Sequence, residues 1–429
     1  MRTLSRNPAI PGNNLILSID IELQKIVEDA FGQRRGALVA IEPSTGDILA
    51  YVSKPNFDPN LFVEGIDQQS WDELNNSLDR PLVNRPISGS YPPGSTYKPF
   101  MALAALELGK RTPEAAIMDP GYFNFGNHRF RDDKEGGHGS VNMYQSIVHS
   151  CDTYYYMLAN DLGVDAMHDF MKPFGFGQVT GIDLAHEKKG LLPSTEWKRN
   201  AYKTRAQQKW YPGETISLGI GQGYNSFTPL QLAHATAILA NNGVVMKPHL
   251  VKVVEDSVTR QRTQTVPKES YRINLKQENI DIVKKAMVGV TTEGTSAASF
   301  AKAEYVSAGK TGTAQVIGMK QNEKYNAQSV AERKRDHALY TAFAPAENPR
   351  IAIAIIVENG GFGAVAAAPI VKQALDYYLL GKKPISKDKD NTPVPKEDTV
   401  AIRPIAEIKA EAEAEGGPEE GGETRGNTD

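Results

Sequence analysis

Apolar residues first recur at helical spacing between Asp20 and Phe31, where Leu23, Ile26, Val27, Ala30 and Phe31 share one face and Asp20 stands in place to cap the first turn. This predicts an amphipathic helix. The runs Ala37 to Ile41 and Asp47 to Val52 then flank Glu42-Pro43-Ser44-Thr45-Gly46, whose proline and glycine suit a tight connection, so a β-hairpin follows. From about Ser95 to about Val290 the pattern is mostly helical, at Met101 to Leu108, Asp152 to Leu162, Pro229 to Ala240 and Gln277 to Val288. Gly109 and Gly243 end two of these segments. Strand patterns return at Tyr305 to Thr313, Ala338 to Phe343 and Ile351 to Glu358. A last helix follows, with Ile370, Val371, Ala374, Leu375 and Tyr378 on one face. This order predicts a mixed domain whose sheet is assembled from both ends of the chain. Short connections such as Pro345 to Arg350 favour antiparallel pairing.

The ends of the chain read differently from its middle. Residues 1–12 hold Pro8 and Pro11-Gly12 with no element of their own and read as a remnant or linker from a longer polypeptide. After Leu380 the composition shifts to Lys, Asp, Pro and Glu, and residues 381–429 read as a disordered charged tail. The structured domain is expected over residues 13–380. Its 40% hydrophobic and 23% charged content supports a large core, and the net charge of −3, with no basic run interleaved with aromatics, gives no reason to expect nucleic acid. No stretch approaches the roughly 20 apolar residues of a membrane span, so the chain as written is expected to be soluble. With Cys151 the single cysteine, no internal disulfide can form.

Chemistry concentrates at three places. In Pro93-Gly94-Ser95-Thr96-Tyr97-Lys98-Pro99 a rigid loop feeds a helix, so Ser95 meets the positive end of the dipole and Lys98 lies on the same helical face. A desolvated lysine can lose its proton near neutral pH and take one from a serine hydroxyl. Alone, this spacing is equally that of a helix cap and a solvated lysine. Two further clusters change the balance: His149-Ser150-Cys151-Asp152 at the start of a helical segment, and Ser307-Ala308-Gly309-Lys310-Thr311-Gly312-Thr313 closing a strand.

In this order the three clusters resemble the Ser-x-x-Lys, Ser-Asp-Asn and Lys-Thr-Gly elements of penicillin-binding proteins and class A β-lactamases, of the penicilloyl serine transferase superfamily. Gly309-Lys310-Thr311-Gly312-Thr313-Ala314-Gln315 and Gly219-Ile220-Gly221-Gln222-Gly223, followed by Thr228-Pro229-Leu230-Gln231, narrow the likeness. From about Pro11 to Leu380 the chain is similar to the monofunctional class B transpeptidases of cell elongation. The resemblance implies an α+β fold, with a five-stranded antiparallel sheet flanked by helices and a large all-helical subdomain. It implies that Ser95 attacks the carbonyl between two terminal D-alanines of a peptidoglycan stem peptide and that Lys98 takes its proton. Ser150 would relay a proton to the leaving amine. Lys310 and Thr311 would hold the substrate carboxylate beside Gly312 and Thr313, and the N–H groups of Ser95 and Thr313 would form an oxyanion hole. β-Lactams would acylate the same serine. The expected partners are a membrane glycan polymerase and elongation scaffold proteins, and the expected location is the periplasmic face of the inner membrane. Asp152 departs from the usual asparagine. An ionised aspartate accepts but does not donate, so it is expected to pair with Lys98 or Lys310.

Asp119, Asp132, His138 and Cys151 bring carboxylate, imidazole and thiolate chemistry that suits Zn²⁺. Four protein ligands leave no position for a catalytic water, which makes such a site structural. Loop aspartates and a buried cysteine are the plain alternative. Trp71, Trp197 and Trp210 are expected to serve packing, and the charged stretch Met319 to Asp336 reads as a flap or a solvated loop. Two other functions fit the same motifs: a β-lactamase or D,D-carboxypeptidase, in which water replaces the acceptor amine, and a penicillin-binding sensor or scaffold domain without catalysis.

Overall fold

The structure is a computed structural model that describes residues 11–318 and 330–384. Most of residues 1–12 and 381–429, and residues 319–329 of the charged stretch, lie outside the described residues. The described chain falls into two units, one of residues 11–54 and 83–384 and one of residues 55–82. The smaller unit holds a helix, Gln68–Asn76, capped where Asp67 accepts from Ser70 N.

In the larger unit, α1 (Ile21–Phe31) begins where Asp20 accepts hydrogen bonds from Glu22 N and Leu23 N, both at 3.0 Å. The hairpin β1 (Gly36–Ile41) and β2 (Ile48–Lys54) follows, as its sequence predicts. Next come α2 (Lys98–Glu107), α3 (Asp152–Leu162), α4 (Pro229–Ala240) and α5 (Gln277–Thr292). The strands β3 (Ala308–Ala314), β4 (His337–Ala344) and β5 (Ile351–Val357) and the helix α6 (Ala368–Leu380) complete it. The sheet is five-stranded and antiparallel throughout, in the order β3-β4-β5-β1-β2. Both ends of the chain therefore meet at the β5–β1 pair, where Ala354 faces Val39.

Strand alternation sends side chains to two separate cores. Leu38, Ala40, Tyr340, Ile353 and Ile355 pack with Leu23, Val27 and Phe31 of α1 and with Ile370, Val371 and Leu375 of α6. Val39, Ile41, Leu339, Ala352, Ala354 and Ile356 join the larger core of α2 to α5. Every residue of α4 is buried, which explains why its sequence is apolar all round rather than on one face.

One expectation needs correction. The stretch read as mostly helical, with the all-helical subdomain that the resemblance implied, also carries short strand pairs: Ile117–Asp119 with Gly139–Val141, Tyr122–Phe125 with His128–Arg131, and Val244–Met246 with Glu269–Arg272. Val251–Glu255 pairs with both Asn14–Leu17 and Arg262–Gln264. These strands run three to five residues and are mostly exposed, so they show little alternation to read. The two-residue Gly126-Asn127 turn between Phe125 and His128 was the signal that could have found one of them.

The two edges of the large sheet are treated differently. At β2, the Gln24 carboxamide accepts from Tyr51 N (2.8 Å) and donates to Tyr51 O (3.0 Å), while Asp20 N bonds Leu49 O. Helix α1 thus covers that edge, as exposed strand edges generally require. The other edge, β3, borders the site.

Candidate active site

Ser95 sits in a 3₁₀ turn, Gly94–Tyr97, that runs directly into α2. The Lys98 N–H bonds the Ser95 carbonyl, and side chains three apart eclipse in such a turn, so Ser95 and Lys98 share a face. Pro99 costs nothing here, because N–H groups in the first helical turn have no internal partner. Tyr97, 1% exposed, anchors the turn against the rings of Phe176 and Phe227.

Lys98 is wholly buried, and its ammonium donates to the Ser150 carbonyl, to the Ser150 hydroxyl at 3.2 Å and to the Asp152 carboxylate. It also lies 5.4 Å from the centre of the Tyr155 ring. Of the two partners open to Asp152, Lys98 is thus the one it takes. Lys310, equally buried, reaches Ser150 Oγ from β3 at 2.8 Å and the Thr311 carbonyl at 3.2 Å. Ser150 therefore receives a lysine from each side, and it does so from a left-handed backbone conformation (φ 61°) that a serine adopts only under constraint. Burial, reinforced by the Lys98 charge, pushes the Lys310 ammonium well below the usual lysine range. Burial pushes the Asp152 carboxyl up, and the Lys98 charge opposes it.

Strand β3 packs directly on the Ser95 turn. A Cβ at Gly312 would lie 2.8 Å from Thr96 Cγ2, so only glycine allows that approach. Gly94 in turn lies against the Thr313 backbone. The structure so brings together Ser95, Lys98, Ser150, Asp152, Lys310, Thr311, Gly312 and Thr313. It adds Thr295, whose hydroxyl lies 2.7 Å from that of Thr311 and which no motif flagged. Thr295 follows the end of α5 in a Thr-Ser-containing loop, and nothing in its local sequence marks it out. Trp197 and Trp210 pack around Tyr224, at 5.0 and 6.0 Å between ring centres. Trp71 belongs to the smaller unit, where it is 39% exposed.

Beside the Ser150 motif, the ligand atoms of Asp119, Asp132, His138 and Cys151 all lie within 4.8 Å of one another. His138 Nδ1 stands 2.8 Å from Asp119 Oδ2 and 3.2 Å from Asp132 Oδ1, and the Cys151 thiol donates to Asp119 Oδ2 at 3.5 Å. The second oxygens are held by backbone: Gly121 N donates to Asp119 Oδ1 and Thr153 N to Asp132 Oδ2. One thiol, one imidazole and two carboxylates, converging and held from behind, form a donor set that suits a four-coordinate dication.

The chain is similar to known proteins over most of its length. The penicillin binding protein transpeptidase domain matches residues 36–376. The peptidoglycan D,D-transpeptidase MrdA of Acinetobacter baumannii is 46% identical over 385 residues, covering 89% of this chain and 56% of that protein. The chain thus spans little more than half the length of this relative. The crystal structure of Pseudomonas aeruginosa PBP2 in complex with WCK 5153 superposes with a TM-score of 0.77 at 47% identity, over 86% of this chain and 79% of that one. PBP2 of Helicobacter pylori in complex with MreC gives 0.74 at 32% identity, over 86% and 64%. With the serine turn, the bridged lysines and the open strand in one cluster, the chain belongs to the penicillin-binding protein transpeptidase family.

Proposed function

We propose that this chain is the catalytic part of a peptidoglycan D,D-transpeptidase. The observation that carries the reading is the convergence of Lys98 and Lys310 on the Ser150 hydroxyl beside the Ser95 turn. Two buried ammonium groups on one hydroxyl repel each other, which favours an arrangement in which one of the two lysines is neutral and can act as a base. Ser95 Oγ attacks the carbonyl of the penultimate D-alanine, an Oγ–C bond forms, and the Oγ proton passes to Lys98. The C–N bond then breaks, and Ser150 relays the proton to the departing D-alanine amine. An acceptor amine from a neighbouring stem peptide attacks the acyl-enzyme carbonyl, the new C–N bond forms as the ester C–Oγ bond breaks, and the amine proton returns to Ser95 Oγ. The N–H groups of Ser95 and Thr313 receive the oxyanion in both steps, each donor contributing about 3 kcal/mol. Lys310 and Thr311 take the terminal carboxylate, with Thr295 orienting the Thr311 hydroxyl. A β-lactam follows the first step and stops there.

Incubation with donor and acceptor stem peptides tests this. Cross-linked product with release of D-alanine is expected. Hydrolysed peptide alone would indicate a carboxypeptidase, and binding without turnover would indicate a sensor. The proposed substrate supports a location at the periplasmic face of the inner membrane. No helix among the described residues is long and apolar enough to cross a membrane. The expected partners are a membrane glycan polymerase and a scaffold protein of the kind that MreC represents for the H. pylori relative.

Asp119, Asp132, His138 and Cys151 would hold a structural Zn²⁺. Such an ion would neutralise the two carboxylates and pin the loop to the start of α3 through the bond from Thr153 N to Asp132. It takes no part in the reaction above. Untagged protein should contain stoichiometric zinc that Cys151→Ser loses, with a lower unfolding temperature. Metal-free protein of equal stability would remove the site.

A further inference from the structure

The segment Gly219-Ile220-Gly221-Gln222-Gly223 has no place in the reaction above, yet the structure sets it against both of the backbones that would flank the oxyanion. A 3₁₀ turn, Ser217–Ile220, ends at Gly221 in a left-handed conformation (φ 72°). From there Gly221 O accepts a hydrogen bond from Gly94 N at 3.1 Å. A Cβ at Gly221 would lie 2.3 Å from the Gly94 carbonyl oxygen, so the two backbones are in contact. Gly94 in turn sits against Thr313: a Cβ there would lie 2.5 Å from Thr313 O and 3.2 Å from Thr313 N. The next residue closes the arrangement, because Gln222 Nε2 donates to Thr313 O at 3.0 Å across 91 residues of sequence. Its own backbone is held by the bond from Gln222 N to Ser217 O.

One short turn therefore grips both the residue before the nucleophile and the last outward-facing peptide group of β3. Strand β4 holds β3 from the inner edge, through Gly312 opposite Leu339 and Ala314 opposite His337. At the outer edge the Gln222 carboxamide is the side-chain donor that reaches Thr313. We infer that Gln222 is a positioning residue, which sets the spacing between the Ser95 and Thr313 N–H groups that receive the oxyanion. The inference rests on the acyl-transfer reading proposed above and deepens it. Gln222 does not touch the reacting atoms. It acts through Thr313, and preorganised donors lose effect when their spacing relaxes.

Stopped-flow acylation by a penicillin, with the encounter constant and the acylation rate constant separated, tests the inference on the whole chain. Gln222→Glu keeps the size of the side chain but replaces the donor with an acceptor that repels the Thr313 carbonyl. Gln222→Leu removes the donor without adding charge. Both variants should lower the acylation rate constant on the order of tenfold, the effect of one hydrogen bond that acts in the transition state. Deacylation should slow by a similar factor, since the same N–H groups serve both tetrahedral species. The encounter constant and the unfolding temperature should stay near those of the parent. Unchanged acylation in Gln222→Glu would overturn the inference, as would a loss confined to the encounter constant or tracking a fall in unfolding temperature. If the parent chain itself takes no penicilloyl group, the acyl-transfer reading fails first and this one goes with it.

Discussion

Lys98 has a double position: in the proposed reaction it takes the Ser95 proton, and in the structure it pairs with the buried Asp152 carboxylate. Removing one partner of a buried ion pair leaves the other unpaired, at a cost of about 3 kcal/mol or more, whereas removing both restores most of the stability. Lys98→Ala should therefore lower the unfolding temperature and reduce acylation by about a thousandfold. Lys98→Ala combined with Asp152→Ala should recover the temperature but not the acylation, which calorimetry and an acylation assay would show side by side. If the double variant recovered acylation, Lys98 would not be the base. The residue types at this site were legible in the sequence because their spacing carries the chemistry. The left-handed Ser150 was not, because a positive φ at a serine follows from packing that no local pattern encodes. Nor was Thr295, which meets Thr311 only through the fold.

Long, patterned elements were read correctly from the sequence, while short exposed ones were not. Helix α4 matched its expected span because a capping box at Thr228 and Gln231 starts it and Gly243 follows its end. Helix α2 began three residues earlier than the periodicity suggested, because the residues before Met101 join it through Lys98 and Pro99. Strand β5 reads as a continuous apolar run because it is buried on both faces, with Ile351, Ile353 and Ile355 toward α1 and α6 and Ala352, Ala354 and Ile356 on the α4 side. Ala352, with no exposed surface, should not accept a larger side chain. Ala352→Leu is expected to cost about 1–3 kcal/mol by overpacking. A denaturant midpoint equal to that of the parent would show that this layer has room to spare.

At the scale of the molecule, the assembly of one sheet from the two ends of the chain followed from the order of predicted elements. What the order could not show was how remote segments lock together around the site. Glu358, just past β5, is one such lock: it accepts from Arg85 Nε at 2.9 Å and from Tyr91 OH at 2.6 Å, four residues before Ser95, and lies 3.8 Å from Arg35. Burial pushes its carboxyl up, but the bonds from Arg85 and Tyr91 outweigh burial and hold it below the ordinary value of 4.5. A carboxyl depressed in the native state stabilises the fold above that ordinary value, and the contribution is lost as the pH falls through the native value. Glu358→Gln should therefore be less stable at neutral pH and lose less stability than the parent on acidification below 4.5, as followed by thermal unfolding across pH. Parallel curves for the two proteins would remove Glu358 from the acid response. The central claim, that Ser95 is an acylated nucleophile activated within this cluster, is tested most directly by the intact mass of the chain over time with a penicillin, with Ser95→Ala alongside. One long-lived penicilloyl adduct on the parent and none on Ser95→Ala is the predicted result. No adduct on the parent, or the same adduct on both proteins, would contradict it.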